Sequence, residues 1–177
     1  KDDNVIKELK KIRGIIQKNS KKYFKKTLKK NKNYKIKKIP KEFDDLEAYY
    51  TSENNGIFFI NVKRKIKKNE LLTLSLHEGI PGHHFQEMKL RNFKNVPLYI
   101  LYLGNYDLYS EGWGLYSESL YPYKNNSHKY YKIEYQILRC FRLIIDVGIH
   151  YYGWSFEKCV NESKKYGFEL DHKEILR

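Results

Sequence analysis

One stretch constrains this chain more than any other. Residues 74–90 read Leu-Ser-Leu-His-Glu-Gly-Ile-Pro-Gly-His-His-Phe-Gln-Glu-Met-Lys-Leu. Leu71, Leu72, Leu74 and Leu76 supply apolar burial before His77, and the pattern predicts a helix over 68–90. Pro81 and Gly82 stand in its middle. Proline removes a backbone donor and clashes with the preceding turn, and glycine tolerates unusual dihedrals. The stretch is therefore expected to carry a bulge of one or two residues at that point.

His77-Glu78 begins like the pattern His-Glu-x-x-His. In that pattern two imidazoles one helical turn apart hold one zinc, and the Glu between them activates a water. Here the fourth position after His77 is Pro81, which cannot ligate, and the next candidates are His83 and His84. In an unbroken helix His83 lies about 120° around from His77 and roughly 9 Å along the axis. His84 returns to the right face, but roughly 10.5 Å away. A bulge brings His83 to the usual place of the second histidine. His83 is the expected ligand, and His84 the reserve. The plain alternative is a helix ended by Pro-Gly with three incidental histidines.

A chain of 177 residues suggests a single domain over 1–177, in which 1–33 form a basic helical lead-in. The net charge of +14 comes mostly from lysines concentrated before residue 42. No zinc-finger spacing, RNP-like segment or helix-turn-helix pattern accompanies it, so no specific nucleic-acid reader is expected. A solvated basic face is the simpler reading, and it could attract acidic peptides or anionic surfaces. Cys140 and Cys159 form no Cys-x-x-Cys pair and read as reduced core residues. No run of eighteen apolar residues exists, which excludes a helical membrane span of the usual length, and no signal peptide is visible. The chain starts without Met, so the compartment stays open.

Along the chain, Val5, Ile6, Leu9, Ile12, Ile15 and Ile16 predict an amphipathic helix over 2–18, and a second short helix around 20–30 carries Tyr23, Phe24 and Leu28. Strands are expected near 34–39 and over 57–62, the latter after the turn signal Asn54-Asn55-Gly56. A strand just before the zinc-site helix could pair its edge with a substrate backbone or merely complete a small sheet. Residues 91–106 read as a loop with a short element. Further helices are predicted over 107–120, 128–152 and 155–166, with Ser155 as N-cap of the last, and a final helical start lies near 171–177.

Three motifs carry a resemblance. His-Glu-Gly-Ile-Pro-Gly-His-His-Phe-Gln, Ser-Glu-Gly-Trp-Gly-Leu-Tyr-Ser-Glu at 110–118 and Arg-Cys-Phe-Arg-Leu-Ile-Ile-Asp-Val-Gly-Ile-His at 139–150 occur in this order. Together they resemble the bacterial family known as domain of unknown function 885, over roughly residues 34–177. Members of that family look like zinc-dependent metallopeptidases with two histidines and one glutamate as ligands. The resemblance implies that Glu111, 34 positions after His77, is the third ligand of one Zn2+. Three protein ligands leave a fourth position for water, as catalytic zinc sites do. Glu78 is then the general base. Glu118, two turns beyond Glu111, could orient a histidine or serve as a structural ion-pair partner, and His84 could support the site from behind.

Arg139, Arg142, Asp146 and His150 recur at helical spacing and share one face, with Ile137, Leu138, Phe141, Ile144 and Ile145 opposite. Such a stripe is commonly a solvated salt-bridged face. Under the resemblance it lines the cleft. Arg139 and Arg142 bind a substrate carboxylate, Asp146 orients His150, and His150 stabilises the oxyanion. Family members continue beyond Arg177 into further site residues, so the chain reads as incomplete at both ends.

The expected fold is mainly α-helical with a small β element, a zincin-like (gluzincin-type) helical catalytic domain. The expected reaction is hydrolysis of a peptide substrate. The rival is a catalytically silent, metal-stabilised scaffold whose basic face binds a partner. Oligomeric state is not read from the sequence.

Overall fold

The computed structural model describes residues 2–24, 33–64, 66–93, 95–102 and 107–167. They are mainly helical, with one three-stranded sheet. The chain divides into two compact units, Lys1–His128 and Lys129–Arg177. Among the described residues no helix is long and apolar enough to cross a membrane.

The first unit opens with α1, Asp2–Ser20. Its apolar stripe works as the spacing predicts, because Leu9, Ile12 and Ile16 are buried in the main core. Ile15 falls outside the stripe and is 45% exposed. The helix expected at 20–30 lies for the most part outside the described residues, although Phe24 joins the core.

Three strands follow: β1 (Lys35–Lys38), β2 (Ala48–Thr51) and β3 (Ile57–Ile60). Their order is β1-β3-β2. β1 runs parallel to β3 with Lys35 opposite Ile57, and β2 runs antiparallel with Thr51 opposite Ile57. β3 is the buried centre, through Ile57, Phe58 and Ile60. The strand nearest in sequence to His77 therefore has both edges paired and offers none to a substrate. Among the described residues the outer strands are β1 and β2. The β2–β3 turn uses Asn54, Asn55 and Gly56, all with positive φ, a region Asn and Gly enter at least cost.

The stretch after residue 67 is not one bulged helix. It is α2 (Lys68–Leu74), a single π-helical turn (Ser75–Gly79), a break, and α3 (His83–Leu90). Ile80 turns extended and the Ile80–Pro81 bond is cis. A Cβ on Gly82 would lie 1.7 Å from the His77 carbonyl oxygen, so only glycine fits the reversal. Then come α4 (Leu98–Tyr102) and α5 (Asp107–Ser119). α5 lies against the π-turn. Its Ser117 hydroxyl, fully buried, stands 2.8 Å from the Leu76 carbonyl oxygen and 2.6 Å from that of Gly114, so its single proton is shared.

The second unit holds most of α6 (Asn126–His150) and α7 (Phe156–Lys165). Phe141, Ile145 and Cys159 are its buried core, with Trp154 packed on them. Trp154 lies so close to Gly148 that a Cβ there would be 2.3 Å from the indole. Ser155 caps α7 as expected, its hydroxyl oxygen accepting from the Lys158 N–H at 3.2 Å. Cys159 is buried, but Cys140 is exposed, so only one of the two free thiols is a core residue. On α6 the predicted core side is only partly buried, since Ile137 and Ile144 are exposed. The helical start expected near 171–177 lies outside the described residues.

Because α1 fills the core of the first unit, Leu9→Ala should cost about 2–5 kcal/mol of unfolding free energy. Ile15→Ala on the same helix should stay within about 0.5 kcal/mol. Urea denaturation of both variants checks the pair, and equal effects would remove α1 from the core.

Candidate metal centre

The break brings His77 and His83 together. Their rings stand 4.7 Å apart, centroid to centroid, and perpendicular. α5 supplies Glu111, and one ligand atom from each of His77, His83 and Glu111 lies within 4.8 Å of the other two. His77 Nε2 is 3.1 Å from Glu111 Oε2, and His83 Nε2 is 3.5 Å from Glu111 Oε1. Both Nε2 atoms thus converge on one carboxylate.

The outer nitrogens are occupied by other partners. His77 Nδ1 is 2.8 Å from Glu118 Oε1, and Glu118 is buried. A carboxylate there holds the proton on Nδ1 in neutral imidazole and leaves the Nε2 lone pair for a cation. His83 Nδ1 is 3.4 Å from Ser110 Oγ, which in turn lies 3.5 Å from Gln86 Oε1. These are long contacts, enough to bias the ring rather than lock it.

Helical spacing on α5 explains why one element does so much. Glu111, Gly114 and Glu118 are three and four residues apart and share a face. Gly114 lets that face close on His77, because a Cβ there would sit 2.5 Å from His77 Cε1. The Trp113 indole donates to the Pro81 carbonyl at 2.8 Å, tying α5 to the break itself.

His84 turns the other way. Consecutive helical residues point about 100° apart, and His84 is fully buried against the Tyr34 ring at 5.1 Å, with the Tyr50 hydroxyl 3.1 Å from its Nδ1. The reserve ligand is a core residue, separate from the His77–His83–Glu111 cluster.

The electrostatics suit a cation. Burial alone would strip the proton from His77, but the hydrogen bonds to Glu111 and Glu118, with the charges of Glu78 and Glu118, outweigh it and raise the imidazole to about 9. Hydrogen bonds with His77 and His83 hold the Glu111 carboxyl well below the usual carboxylate range, although its side chain is 61% exposed. Glu78 is raised, first by burial, and then by Glu111 and Glu118, against the pull of His77 and His83. Three carboxylates around two imidazoles hold a proton where a divalent ion would sit. Two imidazole nitrogens and a carboxylate oxygen are a donor set that fits zinc.

Arg139, Arg142, Asp146 and His150 lie in the second unit. Arg139 is half-buried, with its guanidinium 5.3 Å from the Tyr135 ring centroid. Asp146 and His150 pair at 3.7 Å, and both are well exposed. Sequence reasoning missed Gly114, Ser117 and Ser110. The signal was present in Gly114-x-x-Ser117, small residues three apart on the helix that also carries Glu111.

Since a metal must displace the His77 proton, apparent metal affinity should rise roughly tenfold per pH unit from 7 toward about 9. A histidine with its ordinary value near 6.5 would level off above that pH. Calorimetry in buffers of different ionisation enthalpy should count about one proton released per ion at pH 7.5. Glu118→Ala should weaken binding by about 10- to 100-fold with helix content kept, as followed by chelator competition.

Two solved structures share the fold. One is that of "the putative lipoprotein from Colwellia psychrerythraea", with TM-score 0.84 and 24% identity, covering 98% of this chain and 32% of that one. The other is "a putative lipoprotein of unknown function from Shewanella oneidensis", with TM-score 0.72 and 20% identity, covering 99% of this chain and 35% of that one. This chain thus spans about a third of the length of each. Comparison with curated proteins finds no match. Residues 1–172 match the family described as "Bacterial protein of unknown function (DUF885)", and the chain belongs to that family.

Proposed function

We propose that this chain carries the metal centre of a zinc-dependent hydrolase that cleaves peptide bonds, on a zincin-like arrangement. The observation that carries the reading is the convergence of His77 Nε2, His83 Nε2 and the Glu111 carboxylate, with His77 Nδ1 fixed from behind by Glu118. His77, His83 and Glu111 would hold one Zn2+. When bound, zinc supplies Lewis acidity toward a carbonyl oxygen and lowers the pKa of water.

The remaining work falls to side chains. Glu78 follows His77 directly, and burial raises its carboxyl, the direction that makes a carboxylate a better base. It takes the proton from the attacking water and returns it to the departing amine. Glu118 keeps His77 in the tautomer that presents Nε2. Ser110 does the same more weakly for His83.

Elemental analysis of the purified chain should find one zinc per molecule. His83→Ala should lose it, while His84→Ala, which removes a packing contact and no ligand, should lose stability and weaken the zinc without abolishing it. Glu78→Gln should retain zinc and lose turnover of a fluorogenic peptide mixture by about 100- to 10,000-fold. Zinc bound with no turnover in the unmodified chain would replace this reading with a metal-stabilised scaffold. No zinc at all would remove the centre.

A further inference from the structure

The first unit holds a groove of about 590 Å3. That volume falls in the range of about 300–1,000 Å3 typical of ligand sites. Its walls are chiefly Phe24, Phe85, Leu90, Phe93, Tyr109 and Trp113. Phe24 stacks 4.6 Å from Phe85 and 6.3 Å from Trp113, which makes a continuous aromatic wall. Lys89, the charged residue in the lining, places its ammonium 5.1 Å from the Phe85 ring centroid.

The groove is built on the two helices that hold the metal ligands. Gln86, in its lining, is three residues after His83 on α3, and meets Ser110 Oγ, which also touches His83 Nδ1. Trp113 is two residues after Glu111 on α5, and its indole is fixed to the Pro81 carbonyl. An occupant would therefore lie within one or two side chains of both ligand-bearing segments. The wall is mostly apolar, its polar side chains being Gln86, Lys89 and the tyrosines Tyr23 and Tyr109, and burial of a charged or hydroxylated group away from these few is costly. It favours a ring or a branched aliphatic chain, which gains from area removed from water and from edge-to-face contacts.

We infer that this groove receives a bulky apolar side chain, aromatic or branched aliphatic, of the peptide whose bond lies at the His77–His83–Glu111 centre. The inference rests on the hydrolytic reading for its role in substrate choice, but binding in the groove is measurable without metal. Phe93 is 64% exposed, so Phe93→Glu places a charge in the groove with little risk to folding. Leu90→Glu, at a partly buried position, is the second variant.

The experiment is an NMR titration of the chain in chelator with N-acetyl-phenylalaninamide and, separately, N-acetyl-glycinamide. The reporter is the Trp113 indole N–H, told apart from Trp154 by the Trp113→Phe spectrum. The phenylalanine amide should shift it saturably and the glycine amide should not. Phe93→Glu and Leu90→Glu should each weaken binding by about tenfold or more. Equal response to both amides, no shift, or indifference to both charges overturns the inference. So does a concentration-dependent dimer that Phe93→Glu dissolves, since a second copy then fills the groove. With zinc present, cleavage of peptides should favour bonds next to Phe or Leu over Gly. A shift at Trp113 without any cleavage leaves the groove standing and removes the hydrolase. Cleavage without preference and without a shift does the reverse.

Discussion

The contact between α5 and the broken stretch at 75–82 is what the rest of the centre depends on. A helix that turns into a π-turn and then stops leaves carbonyl groups without intrahelical partners. α5 supplies partners for them, with Ser117 reaching the Leu76 oxygen and Trp113 reaching the Pro81 oxygen. Buried carbonyls cost about 1–3 kcal/mol each when left unpaired. The same helix has no side chain at Gly114, where His77 lies. Glu111 and Glu118 then fall on either side of the imidazole, one at each nitrogen. Ligand, orienting carboxylate and structural clamp are thus set by a single docking event.

Electrostatics add a demand that the protein alone does not meet. Bringing Glu78, Glu111 and Glu118 around His77 and His83 costs desolvation, most of all for the buried Glu118 and the imidazoles. The raised His77 and the depressed Glu111 are two views of the same balance, in which hydrogen bonds between imidazole and carboxylate outweigh burial. A site of this kind is stabilised by what binds it, because the bound ion offsets carboxylate repulsion and the proton leaves. Packing around α5 holds the groups in place, and the charge pattern is one that a cation would suit.

Much of this was legible in the residues. The apolar spacing of α1, the strands at 35–38 and 57–60, the turn at Asn54-Asn55-Gly56 and the limits of α5, α6 and α7 lie within a few residues of their expected places. These are local signals of period, cap and turn, which one sequence carries. The pairing of His83 with His77 was legible because Pro81-Gly82 forbids a plain helix, and only a shortened path then lets His83 reach His77, whereas Glu111 was marked out by the resemblance alone. Three things were not legible. The order β1-β3-β2 depends on long-range pairing, so the strand nearest His77 could not be known to be central. The exposure of Cys140, Ile137 and Ile144 depends on what packs on α6, which periodicity alone leaves undecided. The placement of Arg139, Arg142, Asp146 and His150 is tertiary in the same sense.

His83 and His84 show how a break in a helix sorts neighbours. Since α3 begins at His83, its first residue faces back across the gap toward His77, while the next points into the sheet side of the core. There the Tyr50 hydroxyl and the Tyr34 ring enclose His84, and Gly56 must be glycine because a Cβ would lie 2.5 Å from His84 Nδ1. The sheet thus fixes the rotation of α3 about its axis through His84. That rotation determines where His83 Nε2 points. A continuous helix with histidines four apart obtains the same alignment from its own backbone. Here the backbone is interrupted, and the alignment has to come from two outside surfaces, α5 on one side of the break and the Tyr50–Gly56 turn on the other. The paired histidines are therefore not redundant: His83 faces His77 and Glu111, His84 belongs to the core, and the geometry of the first depends on the burial of the second.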